Sequence, residues 1–145
     1  MRATAKPLHL KLGPKPGARA YLRHAPPFLA ATLRLSGIHL APRPTGKFDF
    51  IVAGVTTAAA LPRAFRLLKP RLRPDGKLWI AWPKRDRADP LLKLTEVIRI
   101  GYDHGLVESK CISLDPAWSA LKFTFPKPGQ TYRNRYGRLG HREKD

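Results

Sequence analysis

The sequence predicts an α/β fold whose mostly parallel sheet ends in an antiparallel pair of strands at the C-terminal side. Three observations predict it. Phe48–Val55 is a near-continuous apolar run of strand length, the pattern of a strand covered on both faces. Leu61, Phe65, Leu68 and Leu72 then recur at helical spacing, and Lys77–Trp82 is a second buried run. Strands alternating with helical patterns make βαβ units, which impose parallel pairing. The alternative is an α+β domain in which only Phe48–Trp82 forms a parallel unit.

Each element follows in order. Met1–Pro16 is rich in Pro and Lys and reads as an extended arm ending in a Lys15-Pro16-Gly17 turn. Ala18–His24 reads as a short strand. Pro26-Pro27 stops it and opens a helix over Phe28–Arg34, because Pro suits a first turn whose N–H groups lack partners. Ser36-Gly37 ends that helix, and Ile38–Ala41 is a second short strand closed by Pro42 and Pro44. After Phe48–Val55, Thr56-Thr57 offers an N-cap for the next helix. Pro62 falls in its first turn, Pro70 ends or kinks it, and Pro74-Asp75-Gly76 is a turn.

Pro83 ends the strand Lys77–Trp82, and a polar loop follows through Asp89. The next helix carries Leu94, Val97, Ile98 and Tyr102, and Gly105 supplies its C-terminal cap. Val107–Leu114 and Trp118–Phe125 are strands joined by Asp115-Pro116-Ala117, and Leu121, Phe123 and Phe125 alternate with Lys122 and Thr124. Residues 1–126 thus form one domain, with 1–16 as its arm, and 127–145 read as a basic flexible tail.

Composition narrows the function classes. The chain has 145 residues, 28 Lys+Arg against 10 Asp+Glu, a formal net charge of +18 and a single cysteine. One cysteine excludes a disulfide framework and cysteine-based zinc modules. No apolar run reaches the ~20 residues of a membrane span and no signal-peptide core follows Met1, so the expectation is a cytoplasmic protein. The basic residues spread along the chain, with concentrations at Arg63–Lys77 and in the tail. Such a field attracts nucleic acid or another polyanion; a compositional bias toward Arg, Ala, Pro and Leu is the competing explanation.

Four fragments, in order, carry a resemblance: Pro7-Leu8-His9-Leu10-Lys11-Leu12-Gly13-Pro14-Lys15-Pro16-Gly17; Arg43-Pro44-Thr45-Gly46-Lys47-Phe48-Asp49; Leu78-Trp79-Ile80-Ala81-Trp82-Pro83-Lys84; and Trp118-Ser119-Ala120-Leu121-Lys122-Phe123. They resemble a bacterial family of proteins of unknown function over residues 7–125. That resemblance implies a shortened Rossmann-like fold of the class I methyltransferase type, and no established activity comes with it.

Cofactor binding in that fold needs a Gly-rich turn after the first strand, an acid at the end of the second, and a polar or acidic residue near the following one. Here the three stations read Arg23-His24-Ala25-Pro26-Pro27, Leu40-Ala41-Pro42-Arg43 and Gly54-Val55-Thr56-Thr57. The first lacks glycine, the second is basic, and the third offers hydroxyls only. An arginine cannot accept hydrogen bonds from ribose hydroxyls. The expectation is therefore no catalytic residue, no cofactor and a non-catalytic methyltransferase-like domain that binds an anionic partner, either nucleic acid or a phosphate-bearing ligand. A divergent S-adenosylmethionine-dependent methyltransferase is the alternative, and a protein–protein adaptor the second.

The remaining chemistry is sparse. His9, His24, His39, His104 and His141 show no ligand spacing, so no metal is expected. Cys111 reads as a packed strand residue, Asp86 and Asp89 as solvated loop charges, and Asp49 as an acceptor for nearby backbone N–H groups. Trp79, Trp82 and Trp118 read as core residues, Trp82 being the one best placed to stack on a ligand. Two binding sets stand out. Arg23, His24, Arg43, Lys84 and Arg85 line the C-terminal edge of the expected sheet, Arg23 and His24 beside a helix N-terminus that favours anions. In the tail, Tyr132 and Tyr136 interleave with Arg133, Arg135 and Arg138, the pairing that stacks bases and neutralises phosphates.

Overall fold

A computed structural model of the chain describes residues 7–84, 89–135 and 137–140. The elements run α1 (Leu8–Leu12), β1 (Arg19–Arg23), α2 (Phe28–Leu35), β2 (His39–Leu40), β3 (Phe48–Gly54), α3 (Ala60–Leu68), β4 (Leu72–Pro83), α4 (Leu94–Asp103), β5 (Val107–Asp115), β6 (Trp118–Thr124), β7 (Thr131–Asn134) and β8 (Gly137–Gly140). Six strands form one sheet in the order β2-β1-β3-β4-β6-β5. The first four are mutually parallel, and β6 runs antiparallel to both β4 and β5. This is the shortened, mostly parallel α/β sheet of the methyltransferase type, with its reversed strand at the C-terminal side.

Side-chain alternation along the strands builds two cores. Tyr21, Ile51, Ala53, Leu78, Ile80 and Phe123 face α3 and α4. Ala20, Phe50, Val52, Trp79, Ala81 and Ala120 face α1 and α2. Both faces of β3 are thereby covered, which explains why its sequence shows no alternation. In α3, Leu61, Ala64, Phe65 and Leu68 form the buried stripe, and truncating Phe65 to Ala would cost about 3–5 kcal/mol.

Several expectations need correction. Residues 8–12 of the expected extended arm form α1. Pro7, with φ −54°, enters the helix, and Gly13 leaves it in the left-handed conformation at φ 78°. Docking stabilises this single turn, because the Trp79 indole N–H donates to the Leu12 carbonyl at 3.0 Å. Leu72 belongs to β4 and not to the helix, since Pro70 sits in a 3-10 turn at Lys69–Arg71 that ends α3. The Pro74-Asp75-Gly76 segment bulges inside β4, where the register against β3 jumps from Phe48↔Leu72 to Phe50↔Lys77. Neither Thr56 nor Thr57 caps α3, whose N-cap position is Ala59.

Cys111 is exposed, contrary to its reading as a packed residue. Cys111 alternates with Ile112 and Leu114, which face the core, and its own face lies on the edge strand β5. Partial burial nevertheless pushes the Cys111 thiol pKa up. The expected tail contains a second structure, the antiparallel hairpin β7–β8. No helix among the described residues is long and apolar enough to cross a membrane.

Candidate functional site

The C-terminal ends of β1 to β4 form one edge of the sheet, the place where open α/β sheets bind ligands. β1 and β3 are neighbours, yet the chain leaves β1 for α2 on one face and β3 for α3 on the other. Such a divergence of connections is a switch point, the place where open α/β sheets bind ligands. Arg23 pairs with Ala53 at this point, so Arg23, His24, Gly54 and Val55 border it.

Local geometry decides what the switch point can hold. His24 takes the left-handed conformation, φ 52°, which non-glycine residues seldom adopt. It turns the chain sharply out of β1. The turn lies close over β3: a β-carbon on Gly54 would run into the His24 carbonyl oxygen. Val55 N–H donates to the Ala81 carbonyl at 2.9 Å, and Thr56 and Thr57 beyond it are exposed. The Asp89 carboxylate accepts from Ala58 N–H at 3.1 Å and from Leu91 N–H at 3.0 Å. Those two bonds hold its pKa below the ordinary carboxylate value. Asp89 therefore ties the chain entering α4 to the segment entering α3, a role beyond that of a solvated charge.

The expected anion set falls into two places. Arg23, half-buried, and the exposed His24 and Arg43 stand at the ends of the adjacent strands β1 and β2. Lys84 lies beyond β4, two strand spacings from β1, or roughly 10 Å. Its ammonium donates to Ser113 Oγ at 2.6 Å, toward β5. Arg85 lies outside the described residues. Pro26 and Pro27 also remove two N–H groups from the start of α2, so anion attraction there rests on side chains more than on the helix end. Trp82 is buried, 6% exposed, and does not serve as a stacking platform. Trp79 is fully buried and Trp118 half-buried.

In the hairpin, Tyr132 is half-buried; its hydroxyl donates to Gln130 Oε1 at 3.0 Å and accepts from Lys127 N–H at 3.3 Å. Arg133 and Arg135 are exposed. Tyr136 lies outside the described residues, and Arg138 is placed in β8 by its backbone alone. Asp49 behaves as the sequence suggests, accepting from Arg19 N–H at 2.9 Å and pairing with Arg73 at 3.0 Å. No group of three or more His, Cys, Asp or Glu suited to a metal ion occurs among the described residues.

Sequence reasoning missed a second basic region at the opposite edge. A cavity of about 250 Å³ there is bordered by Lys15, Asp49, Asp75 and Lys77. Beside it, Lys77 of β4, Lys122 of β6 and Lys110 of β5 stand on the sheet face that carries α1. Burial lowers the Lys77 and Lys122 pKa values, and the surrounding lysine charges lower them further. Only the pairing register reveals this grouping, since 33 positions separate Lys77 from Lys110.

No family model matches the sequence, and no curated protein does. Solved structures do resemble the fold. A candidate type 11 methyltransferase from Sulfolobus solfataricus superposes with a TM-score of 0.61 at 13% identity, over 89% of this chain and 94% of that one. A ribosomal protein methylase from Lactobacillus delbrueckii subsp. bulgaricus gives 0.59 at 16% identity, over 81% and 74%. A tRNA methyltransferase from B. subtilis gives 0.52 at 14% identity, over 86% and 68%. These likenesses establish the class I methyltransferase-like fold.

Proposed function

We propose that the chain is a divergent S-adenosylmethionine-dependent methyltransferase whose substrate is a nucleic acid. The observation that carries this reading is the switch point between β1 and β3, with a left-handed turn at His24 where the fold uses glycine. The similar solved structures are methyltransferases, one of them acting on tRNA by its description, and a net charge of +18 suits a nucleic-acid substrate. This reading replaces the expectation of a non-catalytic domain as the leading one. The resemblance to a bacterial family of unknown function is compatible with it and rests on the four sequence fragments.

The residues present fit the nucleoside in part. Thr56 and Thr57 hydroxyls at the end of β3 can donate or accept, and the His24 turn leads the chain sharply into α2. Arg43 does not fit a ribose diol, which asks for an acceptor there. No transfer step is assigned to particular residues. S-adenosylmethionine would supply the methyl group, and this chain's part is to bind and orient.

A second reading keeps the fold and drops the chemistry: a cytoplasmic domain that binds an anion through Arg23, His24 and Arg43. The arginine at the ribose station is the observation that favours it. Titration calorimetry with S-adenosylmethionine and S-adenosylhomocysteine separates the two. A dissociation constant in the micromolar range, weakened by Gly54→Val, supports the methyltransferase. No heat at millimolar ligand, with inorganic phosphate bound and lost in Arg43→Gln, supports the second reading.

A further inference from the structure

Among the described residues no ion pair joins the lysines at the α1 end of the sheet to an acid, although Asp49 and Asp75 also border the cavity beside Lys15 and Lys77. In the β5–β6 pairing Lys110 stands opposite Lys122, and in the β4–β6 pairing Trp79 stands opposite Lys122. Lys77 precedes Trp79 by two residues and therefore shares its face. Three neighbouring strands thus present three ammonium groups side by side, with Lys15 exposed across the adjacent cavity. Like charges directly opposite on paired strands destabilise a sheet. The ion pairs described, Arg73 with Asp49 and Arg99 with Glu96 and Asp103, do not touch this group.

Part of the arrangement serves α1. The Lys77 ammonium donates to the Gly13 carbonyl at 2.8 Å, and Lys110 reaches the Lys11 carbonyl at 3.5 Å. Each ammonium carries three donors, so these bonds leave N–H groups over. Lys122 has no such carbonyl; its ammonium stands 5.9 Å from the centre of the Trp79 ring. Capping α1 accounts for Lys77 and in part for Lys110, and it does not account for Lys122 or Lys15.

We infer that Lys15, Lys77, Lys110 and Lys122 form a docking row for the phosphodiester backbone of a nucleic acid strand. The row lies toward the N-terminal ends of the parallel strands, opposite the switch point, on the face that carries α1. A line of point charges across adjacent strands matches successive phosphates better than it matches one small anion, which needs donors converging in a pocket. The inference rests on the reading that the substrate is nucleic acid and locates where its backbone is gripped. Bases are not read here, so binding is indifferent to sequence.

Fluorescence anisotropy of the full chain with a labelled single-stranded RNA, across a salt series, tests it. Lys110→Gln with Lys122→Gln should reduce the slope of log affinity against log salt by about 1.4, at about 0.7 per lost phosphate contact. At 0.1 M salt that slope corresponds to roughly 25-fold weaker binding. Lys110→Arg with Lys122→Arg should restore both, and thermal melting checks that every variant folds. Lys93→Gln, at the exposed start of α4 on the opposite face of the sheet, should leave the slope unchanged. Wild-type binding that persists undiminished in the glutamine pair overturns the row and leaves the nucleic-acid reading intact. Absence of wild-type binding at micromolar protein overturns both.

Discussion

The His24 carbonyl oxygen rests against Gly54 on the spot a β-carbon would occupy. That contact joins the turn after β1 to the end of β3. Gly54→Ala must push the turn away or bend β3, a misfit of the overpacking kind that costs about 1–3 kcal/mol. The melting temperature should fall by several degrees. His24→Gly should move it the other way by a smaller amount, because glycine takes a left-handed φ without the penalty paid by a side chain. A melting curve for Gly54→Ala that coincides with wild type would show that the turn is not seated on β3.

How legible this was depends on the range of the interactions. The buried strands β3 and β4 and the stripe Leu61, Phe65, Leu68 announce themselves through local periodicity, and Pro70 marks the helix end. Gly105 caps α4 as its position suggests, with φ 81°. What stayed hidden is pairing between distant residues. Nothing local in Leu8–Leu12 marks a docked helix, since its fixing bond comes from Trp79, 67 positions away. Cys111 alternates with the buried Ile112 and Leu114, but that its own face is left uncovered follows from the place of β5 at the sheet edge, which the local sequence does not give. At the candidate site, the strand-end positions of Arg23 and Arg43 were readable, whereas the diversion of Lys84 toward Ser113 depends on the β4–β6–β5 register.

Trp79 holds α1 by one buried hydrogen bond, and Trp79→Phe isolates it. The ring still fills most of the space while the Leu12 carbonyl loses its donor. An unsatisfied buried acceptor costs about 1–3 kcal/mol. Amide hydrogen exchange should accelerate over residues 8–13 beyond any change in the β3 amides. If exchange in α1 follows the β3 amides instead, the helix is held by its apolar contacts and the lysine bonds to Lys11 and Gly13 rather than by Trp79.

Gly101 is the point of closest approach between α4 and β6. A β-carbon there would enter the Phe123 ring, which is fully buried and meets Phe65 edge-on at 5.1 Å between ring centres. Helix propensity alone favours Gly101→Ala by about 1 kcal/mol, so the substitution sets propensity against packing. Packing wins, because Phe123 is enclosed and cannot swing aside. The variant should be destabilised by about 1–3 kcal/mol, and Gly101→Ala combined with Phe123→Leu should recover part of the loss. Denaturant melts of both measure it; a stabilised single variant would mean that Phe123 has room to move.

Asp89 gives the chain an acid-sensitive tether between the segments entering α3 and α4. Its pKa is depressed by the N–H groups of Leu91 and Ala58. A carboxylate with a folded pKa below its unfolded value stabilises the fold above the unfolded pKa, and this contribution is lost as pH falls through the folded one. Asp89→Asn retains one acceptor and loses the titration. The variant should therefore melt below wild type at pH 7, and the gap should close as pH drops below about 4. Melting temperatures measured at intervals from pH 7 to about pH 2.5 show whether it does. A gap that stays constant over that range would mean that the Asp89 carboxylate gains nothing from Ala58 and Leu91 by being charged.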